Sequence, residues 1–247
     1  MSLDAEGSKR FLDQVLSIWI KPEVELRKSA GTLSKSFALS RAQVIMYPDG
    51  KHVVRLNEEV KASAKVKATR NIDPGEVYEI SSIDDIQEVD LSPDDSPDAS
   101  HVTLFVQGNI ARIFFDFRRN RGLAKERYEA AMQFLDVAEY CANKMLLRPF
   151  IDCLFSAAEL LASSQIFLFA EPKYVKKSSH GQTHSKYNLH SKWGIGNKTY
   201  TTTFNKLSSI RTSARYLKRP INLSESDARE YLKTVQEMAD YTKRFIS

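Results

Sequence analysis

The chain has 247 residues, room for one large or two modest domains, and its 42% hydrophobic and 27% charged residues match an ordinary soluble globular protein. That balance excludes a disordered or fibrous chain, and two cysteines, Cys141 and Cys153, exclude a disulfide scaffold. The net charge of +5 is segregated: residues 84–98 hold seven acids and no base, whereas 112–127 and 173–198 are strongly basic, which points to an anionic partner or to self-attraction.

In chain order, residues 9–20 predict a short amphipathic helix, with Phe11, Leu12, Val15, Leu16 and Trp19 on one side. Asp13 and Gln14 interrupt this apolar run and no small-residue cleavage site follows, so it does not read as a signal core. Pro22 opens a second short helix or extended piece ending near Gly31, and a Ser/Thr/Lys-rich loop runs on to Ser40. Two apolar runs, Gln43–Tyr47 and His52–Leu56, flank Pro48-Asp49-Gly50-Lys51 and predict a hairpin. The alternation of Val60, Ala62, Ala64, Val66 and Ala68 predicts a half-buried strand. After the turn at Asp73-Pro74-Gly75, Glu76–Ile80 and Ile86–Leu91 are expected to be two more strands. Leu91–Ser100, rich in Ser, Pro and Asp, is expected to be an exposed, mobile loop. A last hairpin is built on Gln107-Gly108-Asn109. Hairpin links throughout predict an antiparallel sheet.

At Gly122 the hydrophobic period changes from two to that of a helix. Ala131, Phe134, Ala138, Cys141 and Met145 mark a long helix over 123–145. The segment Pro149–Ala170 is apolar nearly all round, which predicts a core helix; Gln165, several serines and two carboxylates argue against a membrane span. Phe204, Leu207, Ile210, Ala214 and Leu217 mark the core stripe of a third helix, and a fourth begins at Ser224 with Asp227 at the capping-box position. The expected fold is therefore α+β: an N-terminal, mainly antiparallel β domain over 1–120, followed by an antiparallel helical bundle over 121–247. Both cysteines fall on expected buried helix faces, and a reducing, cytoplasmic location is expected.

The organising features are the core helix, the Arg-bearing helix and the stretch between them. Arg211 and Arg215 are i,i+4 neighbours with Tyr216 adjacent, and Asp152 or Glu159 is the expected structural partner of Arg211. The intervening stretch Glu171–Lys198 carries six lysines, three histidines and Tyr174, Tyr187 and Trp193. It is expected to be a loop. Cations for phosphates and flat rings for bases are what single-strand binders use; a solvated loop anchored by Trp193 is the plainer reading. Lys176, Lys177 and His190 are the ligand-binding candidates within it. His180 and His184 have helical spacing but no neighbouring acid in sequence, so neither a metal nor a cofactor is expected.

A long helix, a buried helix with an acid in its middle, a variable polar stretch and then an Arg-rich helix resembles the HEPN domain. Members of that superfamily bind nucleotides or cut RNA, usually as dimers with the site at a helix–helix interface. Their signature is an Arg, four to six residues, then a His. Arg211 takes the Arg position, but the residue after four intervening positions is Tyr216, and no His follows in the chain. The resemblance covers 122–247 and implies an RNA- or nucleotide-binding homodimer without efficient catalysis, in a prokaryotic defence or stress setting. Two alternatives remain open: a metal-independent endoribonuclease using Arg211 and Tyr216, and an interaction scaffold whose acidic stretch Asp84–Asp98 docks a basic partner.

Overall fold

A computed structural model describes residues 5–170, 174, 179–217 and 220–246. The fold is α+β: an antiparallel N-terminal sheet is followed by C-terminal helices. The chain divides into two compact units, Met1–Phe117 and Arg118–Ser247.

The first unit opens with α1 (Ala5–Val15), which passes through a π turn (Leu16–Ile20) into α2 (Lys21–Ser29). Six strands follow: β1 (Arg41–Met46), β2 (His52–Leu56), β3 (Ala62–Val66), β4 (Ile86–Leu91), β5 (Ser100–Gln107) and β6 (Ile110–Asp116). Four form one antiparallel sheet in the order β2-β1-β5-β6, and β3-β4 form a separate ribbon. Period-two alternation splits the large sheet into two faces. Ala42 and Val44 of β1 share one face with Val102 and Leu104 of β5, packed against Val15, Ile20, Phe11 and Trp19 of the helical segment. Gln43, His101 and Thr103 point the other way and are fully buried, with Gln43 Nε2 donating to Thr103 Oγ1 at 3.3 Å. This second face is closed by the stretch expected to be a mobile loop. Ala99 and Ser100 are buried, and Asp95 takes a forked contact from Arg55 at 2.7 and 2.8 Å. The expected strand over Glu76–Ile80 does not form: Val77 is exposed, no ladder partner is described for it, and Glu76 instead pairs with Arg70.

The second unit contains, among the described residues, α3 (Arg121–Asn143), α4 (Leu147–Phe167), α5 (His180–Lys192), α6 (Lys198–Tyr216) and α7 (Glu225–Ile246). Helix α4 is the hub. Phe150, Ile151, Leu154, Phe155, Leu161, Ile166 and Phe167 are all buried, which explains its apolar composition on every side. It is long and apolar enough to cross a membrane, but most of it is buried within the unit, the pattern of a core helix. Asn120, with φ 55°, starts α3, and its side-chain amide donates to the carbonyls of Phe167 and Ala170, tying the start of α3 to the end of α4. Residue pairs set the directions. Arg211 meets Asp152 and Phe204 stacks on Phe155, so α6 runs antiparallel to α4; His180 meets Glu159 and Tyr187 meets Gln165, so α5 runs alongside α4 in the same sense.

Helix α5 corrects the expectation of a loop. Its apolar residues are too few and too scattered to form a stripe, so periodicity does not announce it. Ser179 and Gln182 make a capping box, and burial of Thr183 and Tyr187 against α4 and α6 provides the packing. Gly194, with φ 74°, ends the helix in a left-handed turn in which the Ile195 amide bonds the His190 carbonyl.

Candidate anion-binding site

Helix α6 delivers Arg211, Arg215 and Tyr216 at its C-terminal end because all three fall outside its buried stripe of Phe204, Leu207 and Ala214. Leu217 follows in the left-handed conformation and ends the helix. The facing surface is the first half of α4. Arg148 Nη1 donates to the carbonyls of Ser213 and Ala214 at 2.9 and 3.1 Å, capping the negative end of the α6 dipole. One turn on, Asp152 Oδ1 accepts from Arg211 Nε at 2.9 Å and lies 4.0 Å from Arg215 Nη1. One turn further, the Phe155 ring lies 4.5 Å from the Arg211 guanidinium carbon.

Two guanidiniums thus share one carboxylate. The Arg211 side chain keeps 23% of its surface exposed, Arg215 about half, and Tyr216 is 63% exposed. Arg211 is held in place by Asp152 and Phe155; Arg215 and the Tyr216 ring are the groups left open to a ligand. Among the described residues no imidazole touches Arg211, so a positioned cation and an aromatic ring are present without a histidine to move a proton.

The other candidates lie elsewhere. Glu159 pairs with His180, not with Arg211. His190 sits near the opposite end of α4, in a pocket with Gln165, Leu168 and Tyr187. Asp152 and Gln165 are thirteen residues apart on one helix, about 20 Å, so His190 does not share a site with Arg211. Burial first, and Lys186 second, lower the His190 pKa below its ordinary 6.5. Lys176 and Lys177 lie outside the described residues. Cys141 is buried, whereas Cys153 is only partly covered, and burial raises its thiol pKa. Among the described residues no group of three or more metal-ligating side chains is present.

Arg148 and Phe155 were missed in the sequence, although their spacing with Asp152 (i, i+4, i+7) is a legible helical stripe. Comparison with protein-family models, with curated proteins and with solved structures finds no match to this chain.

Proposed function

We infer that the helical unit is a HEPN-like module that binds RNA or a nucleotide through the end of α6, without efficient catalysis. The observation that carries this reading is the excess of cation at that end: Arg211 and Arg215 face the single carboxylate of Asp152, with the open ring of Tyr216 beside them. Arg215 supplies charge to a phosphate, Tyr216 a stacking surface, and Arg211 holds the face in register. Binding rather than cleavage is proposed because Tyr216 stands where the resembling family has its histidine, and a phenol is a poor general base at neutral pH.

The experiment is fluorescence anisotropy of a labelled single-stranded RNA over a salt series. Affinity is expected to fall as salt rises, and Arg215→Ala is expected to weaken binding and reduce the salt slope by about one. Affinity indifferent to salt, or unchanged in Arg215→Ala and Tyr216→Ala, would remove the reading.

The same resemblance carries the proposal of a homodimer through the helical unit. Phe134, Val137 and Tyr140, spaced three apart on α3, are exposed apolar residues of the kind that a second copy covers. Light scattering is expected to give a dimer mass that Val137→Glu halves; a monomer at high concentration would rule the dimer out.

A further inference from the structure

A cleft of about 490 Å³ opens between α3, α4 and the start of α5. Arg127 enters it from α3. Its Nε donates to Ser163 Oγ at 3.1 Å, and its guanidinium carbon lies 4.0 Å from the centre of the Phe167 ring. Burial lowers the pKa of this guanidinium, so part of its hydration is already lost. Among the described residues no carboxylate lies within ion-pair distance, Glu126 acting only from further off, and neither terminal nitrogen has an acceptor. A half-buried cation with no counter-charge in contact is unfavourable, and an anion relieves it.

The other wall is His180, whose Nδ1 lies 2.6 Å from Glu159 Oε1. The Glu159 side chain is 13% exposed and that of His180 is 79% exposed. Nδ1–H donates to the carboxylate, and in the imidazolium form the Nε2–H on the open side of the ring is the donor that an anion meets. A bare carboxylate would repel an anion; this one is mostly covered and acts through the imidazole it holds. Glu159 and Ser163 are i,i+4 neighbours on α4, so the two anchoring points are about 6 Å apart. Arg127 and His180 therefore line one cleft, in which a phosphate can accept from both. The buried Thr183, one turn after His180, lines the same wall.

We propose that this cleft binds a phosphate monoester, with Arg127 and His180 gripping the phosphate from opposite walls and Glu159 positioning the imidazole. The site shares no residue with the α6 face, so either stands or falls alone.

The test is a titration of the full chain with inorganic phosphate, followed through the His180 ring and Thr183 amide signals in proton–nitrogen correlation spectra. Saturable shifts at both are expected. Arg127→Gln is expected to weaken the apparent affinity about tenfold. Because Arg127 also packs on Phe167, His180→Gln at an exposed side chain is the second variant, and the same loss is expected when read at Thr183. Shifts that rise without saturating in the wild type, or an unchanged affinity in folded His180→Gln, overturn the proposal. Two further probes separate the sources of the phosphate. Saturable binding of adenosine monophosphate supports a free nucleotide; binding only of a 5′-phosphorylated oligoribonucleotide supports an RNA end. Equal shifts with the unphosphorylated oligonucleotide would overturn the phosphate assignment. Arg215→Ala is expected to leave the titration unchanged, which separates this cleft from the α6 face.

Discussion

Each unit contains an arginine–aspartate pair, and the two pairs do different things. In the sheet unit, Arg55 forks onto both oxygens of Asp95, whose side chain is 6% exposed, and adds a contact to Gln43 Oε1. Both oxygens of Asp95 are met by Arg55, and the pair helps to close one face of the sheet. In the helical unit, Arg211 offers only Nε to Asp152, and Arg215 competes for the same oxygen. Forked, covered geometry satisfies the charges on both sides and leaves nothing for a ligand. Single-contact, half-open geometry leaves a local excess of positive charge. The residue types alone do not distinguish architecture from a binding surface; the ratio of cations to carboxylates and their exposure do.

The sharpest way to test that contrast is to damage each unit in turn and measure the loss. Leu154→Ala removes a fully buried side chain from the hub helix and is expected to cost about 2–5 kcal/mol in urea unfolding followed at the helical signal. A loss under about 1 kcal/mol would mean that α4 is not the centre of the core. Next come the ion pairs themselves. Asp95→Ala strands a partly covered arginine, with an expected cost of about 2 kcal/mol. Asp152→Ala is expected to cost about 1 kcal/mol or less, because its pair is partly exposed, and to strengthen RNA binding by freeing two cations. Equal costs for the two substitutions would erase the distinction between them.

The smallest expected effect is a pH dependence at His190. Its pKa in the folded chain lies below the ordinary 6.5, so the unfolded chain binds the proton more readily. The stability gained by keeping this ring neutral is fully present above about pH 6.5 and is lost as pH falls below it. His190→Gln is expected to flatten the stability profile over that window; an identical profile in the variant would assign the dependence to other groups.

Much of the fold is legible along the chain. The Asp49-Gly50 turn, the Gly108 turn and the change of period at Gly122 mark their elements because each depends on local backbone chemistry or on neighbours a few residues away. Three features are not legible. Helix α5 lacks an apolar stripe, since it is held by Thr183 and Tyr187 alone among its buried residues. The 91–100 stretch has loop composition yet closes the sheet through Asp95. The segment Glu76–Ile80 never finds a strand to pair with. Of the site, the row Arg211, Arg215, Tyr216 is visible in the sequence, but the choice of Asp152 over Glu159 as the acid facing it is not.

Residue order alone is enough for the α+β arrangement, the apolar hub helix and the placing of two arginines outside the buried stripe of α6. All three rest on periodicity and turn chemistry, which act within a few residues. Which carboxylate meets which cation emerges only once the helices are packed: Asp152 with Arg211, Glu159 with His180, and none among the described residues with Arg127. Charge pairing depends on distances of a few ångströms between helices remote in the chain, and helix register and crossing, set by core packing, fix those distances.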